Sequence, residues 1–479
     1  MNPLLSSIRE SFRVSAQAVS DVVRFQLLAY SSSDQRPPST DVTADELNYN
    51  GDLYTSNKKT EAVPCEEAKY WLHLYGRTPS GHSIAVHVDY SPSLMVCLPD
   101  GWGAEEASKL FNKLCQQRRI PSGFITRELV HYHRLGGFYP DLEASTPRLK
   151  KFPFLRISCR SLAYWKIITN FFRFTKLTIA GVRDHLFPII EQDIPPVLDL
   201  LNTCHGRPSD GLEIDSNRLK QLTKTRLTHC DLEFECRVTP TDCPLRPVEL
   251  TELYPLVVLS FDIECVPGDG RSFPSAENRN DSVITICSVV KNMKTGAICR
   301  ASHMLGAHLP LDSTVHQFTY SSEAQLIEEW RDFVVCVDPD IITGYNSHRF
   351  DWPYLATRMQ LYDPNSRFFF VSRLIMHCSV MEEKEFSSKA FGSSTTSKFD
   401  IPGRIDVDLC TYVMRNYKMK SYKLEKVAQY FLGQGKSGLA ITEMIAHFQS
   451  KDPEKMREIV RYCLQDAELP ILIWDHQRI

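Results

Sequence analysis

Apolar and polar positions follow two different patterns along the chain, and the change between them falls near residue 250. Between residues 65 and 250, short alternating runs broken by turn signals are mixed with helical spacing, which predicts an α+β domain. After residue 250, β-branched runs alternate with amphipathic helical patterns, which favours an α/β architecture. We predict strands over 256–264, 283–291, 341–346 and 404–409, and helices over 322–337, 351–361, 422–432 and 452–475.

The first 64 residues fit neither pattern. Residues 31–64 are rich in Ser, Thr, Asp and Asn and poor in large aliphatic side chains, so they bury too little apolar surface to order themselves. We therefore expect three parts: an N-terminal segment with a flexible polar loop at 1–64, one domain at 65–250 and another at 251–479.

Composition narrows the function classes. The formal net charge of -3 gives the whole chain no attraction for polyanions, so binding to nucleic acid would need a local basic surface. The 15 cysteines lack any CxxC spacing, which argues against a structural zinc site of the usual kind and fits a reducing compartment. Because no run of about 18 apolar residues occurs, we expect no membrane span.

Two acidic side chains interrupt the apolar strand VVLSFDIEC. Asp262 and Glu264 are two residues apart, so in a strand they project from the same face. Two carboxylates this close raise one another's pKa or recruit a cation, and ligation by oxygen alone suits Mg²⁺ or Mn²⁺. The alternative is a strand end that emerges into solvent, where both acids are hydrated.

Further acids follow in two later elements. Asp351 comes after Asn346 and Phe350 at the start of a predicted helix, where an acid is also an ordinary N-cap. Tyr462 and Asp466 are four residues apart and share a helical face, which is also a common surface arrangement. The ordered set D-x-E, N-x-x-x-F-D and Y-x-x-x-D, each in a matching element, favours one joint site.

This ordered set resembles the three exonuclease motifs of the 3′–5′ proofreading domain of family B DNA polymerases, of the DEDDy type. The stretches PDIITGYNSHRFDWPYLATR, GRIDVDLCTYVMRNYKMKSYKLEKVAQYFLG and RYCLQDAELPILI resemble delta-type catalytic subunits and their relatives in large DNA viruses. LHLYGRTPSGHSIAVHV resembles the N-terminal domain of that family. The resemblance covers residues 65–479 and implies an RNase H-like exonuclease domain with a mixed sheet, preceded by an α+β N-terminal domain.

The resemblance also implies roles for particular residues. The reaction would be hydrolysis of the 3′-terminal nucleotide of DNA, with two Mg²⁺ or Mn²⁺ ions as cofactors. Tyr462 would orient the attacking water. The metal ligands would be the four acids Asp262, Glu264, Asp351 and Asp466. The side chains contacting DNA would be Asn346 and Phe350 at the terminal nucleotides, and Phe273 as a wedge against a terminal base.

The sequence marks of a family B palm, D-x-x-S-L-Y-P-S and Y-G-D-T-D-S, do not occur in these residues. The stretch ELTELYPLVVL at 249–259 mimics the first mark but has glutamates where Asp and Ser are needed. We therefore expect no palm, fingers or thumb, and no primer extension by these residues. An N-terminal piece of a longer polymerase, a split polymerase with its palm on another chain, and a stand-alone exonuclease all remain open.

The implied partner is the single-stranded 3′ end of a DNA primer, with a palm region or separate palm chain and a processivity factor as further candidates. Such a protein would work in the nucleus, or in a viral replication compartment or the cytoplasm. Two other functions stay open: a catalytically idle scaffold that binds DNA or another subunit, and a stand-alone DEDDy exonuclease or exoribonuclease. The intact acid set argues against the idle scaffold.

Overall fold

A computed structural model describes residues 3–14, 21–33, 69–121, 123–133, 149–208, 210–239, 242–388, 392–433, 435 and 438–479. Of the polar loop predicted over 31–64, residues 34–64 lie outside the described residues. The helices are α1 Pro3–Ser11, α2 Ala104–Arg118, α3 Leu162–Phe174, α4 Pro196–Thr203, α5 Glu323–Val337, α6 Asp351–Tyr362, α7 Leu409–Asn416, α8 Leu424–Leu432, α9 Ile441–Ser450 and α10 Pro453–Gln477.

The strands are named in chain order. They are β1 Val22–Ser33, β2 Trp71–Arg77, β3 Ser83–Asp89, β4 Ser93–Cys97, β5 Ile125–Tyr132, β6 Phe152–Cys159, β7 Leu177–Ile179, β8 Val182–His185, β9 Ile189–Ile190, β10 Gly211–Asp215, β11 Lys220–Gln221, β12 Leu232–Arg237, β13 Arg246–Val248, β14 Val257–Val266, β15 Ser282–Asn292, β16 Ile298–Leu305, β17 Val315–Tyr320, β18 Ile341–Gly344, β19 Met381–Ser388, β20 Gly392–Phe399 and β21 Ile405–Asp408.

Two sheets dominate the N-terminal part. A seven-stranded mixed sheet has the order β11-β12-β3-β2-β1-β10-β13, and an antiparallel sheet has the order β5-β6-β4-β9. Strand β4 follows β3 in the sequence but belongs to the second sheet. Pro92 precedes β4 and has no N–H to extend a ladder, and its carbonyl accepts a bond from Cys159 of β6 at 2.8 Å.

A six-stranded mixed sheet follows, in the order β17-β16-β15-β14-β18-β21. Strand β14 is antiparallel to β15 and parallel to β18, so it lies in the interior of the sheet. The four strands and four helices predicted after residue 250 agree with the observed elements to within about two residues. The mixed α/β class is confirmed, while β16, β17, the β19–β20 hairpin and helices α7 and α9 were not predicted.

The two faces of β14 pack against different helices. Phe261 and Ile263 are buried with α5 and α6 on one face. Val258 and Val266 are buried with α10 on the other face. Because side chains alternate along a strand, residues 262 and 264 share the face that α10 covers.

Helix α1 belongs to the same core, although it comes first in the sequence. Leu5, Ile8 and Phe12 are buried among side chains of β14, β15 and α5. The Phe12 carbonyl accepts a hydrogen bond from Asn292 Nδ2 at 2.7 Å. Strand β1 likewise lies inside the seven-stranded sheet, between β2 and β10. The N-terminal segment therefore adds a strand to the seven-stranded sheet and a helix to the core beside the six-stranded sheet.

Buried ion pairs join the N-terminal part to the six-stranded sheet. Asp338 ends α5 in the left-handed conformation, with φ +54°. Its carboxylate contacts Arg373 at 2.9 Å, Arg404 at 2.7 Å and Arg9 of α1 at 3.3 Å. Burial opposes ionisation, yet these arginines hold the pKa of Asp338 well below its ordinary value. No helix of the described residues combines the length and apolarity needed to cross a membrane.

Candidate active site

Three carboxylates converge where β14 meets α10. One oxygen each of Asp262, Glu264 and Asp466 can be chosen so that all three lie within 4.8 Å of one another. Asp262 and Glu264 are the half-buried positions in an otherwise buried strand, and Asp466 is buried. Strand alternation and the packing of α10 thus bring the acids of two separate motifs together.

Asp351 lies behind the same strand. It is the first residue of α6, and its Oδ1 accepts a hydrogen bond from the backbone N–H of Ile263 at 3.2 Å. The N-cap position belongs to Phe350, which makes no side-chain capping bond. Asp351 is therefore not the helix cap that its sequence position allowed. Its carboxylate instead bonds to Ile263, the residue between Asp262 and Glu264 on β14.

The electrostatics of the cluster suit a cation. Burial, and then the charges of Asp351, Glu264 and Asp466, raise the pKa of Asp262 well above its ordinary value. Burial and the neighbouring acids also raise the pKa of Asp351 to about 7, against backbone hydrogen bonds that lower it. Carboxylate oxygens are the ligands that Mg²⁺ and Mn²⁺ prefer, and a divalent cation would relieve the repulsion. The acidic cluster could therefore bind metal, and its chemistry does not choose between these ions.

The other predicted site residues lie around this cluster. Tyr462 is half-buried on α10, one turn before Asp466 and on the same helical face. Asn346 follows β18 with φ +66°, a left-handed conformation that Asn tolerates better than most residues. Phe350 packs beside Phe273, with ring centroids 6.3 Å apart. The Phe273 side chain is exposed, at 72%.

Asp408 is an acid near the site that the sequence reasoning missed. It caps α7, where its buried carboxylate accepts N–H bonds from Cys410 at 2.8 Å and Thr411 at 3.4 Å. It also accepts the N–H of Asn346 at 3.0 Å, and its charge helps to raise the pKa of Asp351. An aspartate directly before a helical pattern is a recognisable N-cap signal, but its reach to Asn346 depends on tertiary structure.

The raised pKa of Asp351 predicts how the metal-free protein responds to pH. A group whose pKa is higher in the folded state contributes stability below its unfolded pKa and loses it as the pH rises through the folded value, here about 7. In EDTA, Asp351→Asn should therefore become more stable relative to wild type as the pH rises from about 5 to about 8. We expect the difference in unfolding free energy between the two proteins to grow by roughly 1–4 kcal/mol. Scanning calorimetry measures the difference.

The difference between the two proteins is the informative quantity. Burial lowers the pKa of His229 and of His303 to about 3, so these groups favour the folded state as the pH rises and act in the opposite direction. Their contribution is common to wild type and Asp351→Asn and cancels. A difference that stays constant, or that shrinks with rising pH, would contradict the raised pKa of Asp351.

Comparison with known proteins agrees with the motif set. The family model for the DNA polymerase family B exonuclease domain matches residues 188–427, half of the chain. The chain belongs to this family, and the resemblance drawn from its motifs is confirmed. The matched span includes Asp262, Glu264 and Asp351 and ends before α10, the helix that carries Tyr462 and Asp466.

Similar curated proteins include DNA polymerase delta catalytic subunits from several eukaryotes. The one from Plasmodium falciparum is 31% identical over 439 residues, covering 88% of this chain and 38% of the relative. The one from Caenorhabditis elegans is 30% identical over 422 residues, covering 84% and 38%. The one from Glycine max is 28% identical over 423 residues, covering 84% and 36%. The chain thus spans little more than a third of the length of these relatives.

A solved structure supports the fold. The family B DNA polymerase from the hyperthermophilic archaeon Pyrobaculum calidifontis matches 95% of this chain and 45% of its own, with a TM-score of 0.56 and 18% sequence identity. This similarity therefore extends over nearly the whole chain, including the part before residue 188.

Proposed function

We propose that this chain is the N-terminal and proofreading part of a family B DNA polymerase, and that it hydrolyses DNA from the 3′ end during replication. The observation that carries the proposal is the meeting of Asp262 and Glu264 with Asp466, whose carboxylate oxygens lie within 4.8 Å of one another. Asp351 bonds to the same strand and completes a set of four acids. A surface that merely binds DNA has no need of converging carboxylates, because like charges this close repel and disfavour one another's ionisation.

In this proposal the six-stranded sheet and the helices around it form an RNase H-like exonuclease domain of the DEDDy type over residues 251–479. Residues 65–250 form an α+β N-terminal domain, preceded by residues 1–64. The family match over 188–427 and the similar fold of the archaeal polymerase support this assignment. Any palm, fingers and thumb would have to be supplied outside these residues.

The side chains around the cluster divide the chemistry between them. The four acids would hold two divalent cations, which would lower the pKa of a bound water and stabilise negative charge on the leaving oxygen. The Tyr462 hydroxyl, one helical turn from Asp466, would hold the attacking water in line with the terminal phosphodiester. The product would be a nucleoside monophosphate.

A groove lined in part by Asn346 supports a single strand as substrate. It has a volume of about 560 Å³, and it is lined by Tyr345, Asn346, Cys410, Tyr422, Lys423, Leu424 and Glu425. Single-stranded nucleic acid binds where aromatic rings stack on bases and basic side chains meet phosphates, and the groove contains both kinds of group. The backbone N–H of Asn346, in this groove, donates to Asp408, whose charge helps to raise the pKa of Asp351 in the acid cluster.

One assay tests the function directly. Purified protein is mixed with Mg²⁺ and a single-stranded DNA oligonucleotide labelled at its 3′ end, and parallel reactions contain EDTA or an RNA of the same sequence. We expect the label to leave as a nucleoside monophosphate, faster from DNA than from RNA, and not at all in EDTA.

Each contrary result has a distinct meaning. RNA degraded far better than DNA would indicate an exoribonuclease. Tight binding of DNA with no release of label in either Mg²⁺ or Mn²⁺ would indicate an idle scaffold. Release that persists in EDTA would exclude the proposed metal-dependent chemistry.

A further inference from the structure

The loop at residues 267–281 leads directly away from the strand that carries Asp262 and Glu264. It presents the exposed ring of Phe273 beside Phe350, the residue before Asp351. We call it the Phe273 loop. Its position is fixed from within by Asp281, which accepts hydrogen bonds from Gly268 N at 3.0 Å, Ser275 N at 2.7 Å and Asn278 Nδ2 at 2.7 Å.

A buried arginine fixes the same loop from outside. Arg358 lies on α6, seven residues after Asp351, and its side chain is 1% exposed. Its Nη1 donates to the carbonyl oxygens of Ala276 at 3.2 Å and Asn278 at 2.6 Å. The helix that supplies one acid of the cluster therefore also bonds to the backbone of the Phe273 loop.

The rest of the Arg358 guanidinium pairs with Glu323. Nε and Nη2 donate to the two carboxylate oxygens at 2.8 and 2.7 Å, in a bidentate arrangement. Glu323 also accepts the N–H of Val283 on β15 at 2.9 Å and the hydroxyl of Tyr362 at 2.6 Å. One ion pair thus connects α5, α6, β15 and the loop.

Burying such a pair brings little stability in itself, because the cost of removing both charges from water offsets most of their attraction. The pair also fixes the orientation of the Arg358 guanidinium. The planar guanidinium presents its donors in a fixed fork, so the carboxylate on one side sets the angle at which Nη1 meets the two loop carbonyls. An apolar pair of equal volume would fill the space without orienting the backbone.

We infer that Arg358 is a positioning residue, whose pair with Glu323 holds the Phe273 loop so that Phe273 stands beside Phe350 and promotes the opening of paired 3′ ends. The inference rests on the proposed exonuclease function. A terminal base pair must open before its 3′ nucleotide reaches the carboxylates, and a fixed aromatic ring can stack on the base that is left behind. A single-stranded end needs no such opening and depends less on the loop.

The test compares hydrolysis of single-stranded and fully paired 3′ ends by Arg358→Lys. Lysine keeps the positive charge opposite Glu323, but its single ammonium cannot reproduce the bidentate pair and both carbonyl bonds. We expect the rate on single strands to stay within about twofold of wild type and the rate on paired ends to fall by roughly tenfold. Phe273→Ala should also lower the rate on paired ends, and combining it with Arg358→Lys should lower that rate little further.

A matched control is Arg367→Lys. Arg367 is a partly exposed arginine that pairs with Glu328, Glu329 and Asp332. These partners belong to α5 and not to the Phe273 loop, so the substitution should leave the ratio of the two rates unchanged. An equal loss on both substrates in Arg358→Lys, or additive losses in the double variant, would overturn the inference.

Trypsin gives a readout that is independent of catalysis. The loop contains two exposed cleavage sites, Arg271 and Arg279, and we expect their cleavage to be roughly tenfold faster in Arg358→Lys. Unchanged cleavage would refute the positioning role even if the chain hydrolysed no DNA, so failure of the inference is distinct from failure of the proposed function. If Arg358→Lys does not fold, Tyr362→Phe, which removes one hydroxyl from Glu323, should accelerate cleavage to a smaller extent.

Discussion

Replacing Asp262 and Glu264 together by alanine is expected to abolish hydrolysis while making the metal-free protein more stable. A catalytic cation contributes several kcal/mol to lowering the barrier, and each ~1.4 kcal/mol is a factor of ten, so the rate should fall by roughly 10³-fold or more. Burial and the neighbouring acids raise the pKa of Asp262, which means that the folded protein resists its ionisation. Removing both carboxylates should stabilise the fold by about 1–3 kcal/mol without metal.

Two variants make this result specific. Asp262→Asn/Glu264→Gln keeps the shapes of both side chains and should lose activity to the same extent, which separates charge from packing. Glu454→Ala removes an exposed carboxylate from the start of the same helix α10 and should retain activity. Equal hydrolysis by wild type and the alanine variant would show that Asp262 and Glu264 do not carry the reaction.

Asp338→Asn is expected to cost roughly 3–5 kcal/mol in unfolding free energy. Asparagine tolerates the left-handed conformation that Asp338 adopts, so the substitution removes charge with little backbone strain. It leaves Arg373 and Arg404 buried with one acid fewer to neutralise them. Denaturant unfolding monitored by circular dichroism would measure the change.

Glu105→Gln is the matched control, because Glu105 forms an exposed i,i+4 pair with Lys109 on α2. Pairs of this kind contribute little, so its cost should stay under about 0.5 kcal/mol. A similar small loss for Asp338→Asn would mean that Asp340, which also contacts Arg373 at 2.8 Å, suffices to compensate the arginines.

The sequence allowed the elements after residue 250 to be predicted well because their patterns are local. Alternation placed Asp262 and Glu264 on one face of a strand, and helical spacing placed Tyr462 above Asp466. Each acid motif also had an ordinary structural explanation that the sequence could not exclude: a hydrated strand end, a helix N-cap or an exposed pair on a helix. The structure removed one of them for Asp351, whose carboxylate bonds to Ile263 across the sheet instead of capping its own helix.

What the sequence could not supply is contact between distant segments. Arg358 and Glu323 looked like ordinary charged positions on two helices, and nothing local marked them as a buried pair. Residues 1–64 were predicted to lie outside both domains because a long polar stretch follows the β1 sequence. In the structure, β1 lies within the seven-stranded sheet. The sheet to which β4 belongs could not be predicted either, because alternation shows that a run forms a strand but not which sheet that strand joins.

The position of helix α1 has a consequence for the order in which this protein can fold. Arg9 bonds to Cys336 and Asp338, more than three hundred residues further along the chain. Contacts this far apart form late, because the chain must close a long loop before any of them is made. During synthesis, α1 emerges long before α5 has been made. Leu5, Ile8 and Phe12 therefore cannot pack into the core until the side chains of α5 are present. A fragment that starts at residue 251 would therefore expose the apolar surface that α1 covers, and α1, although made long before α5, is among the last elements to pack.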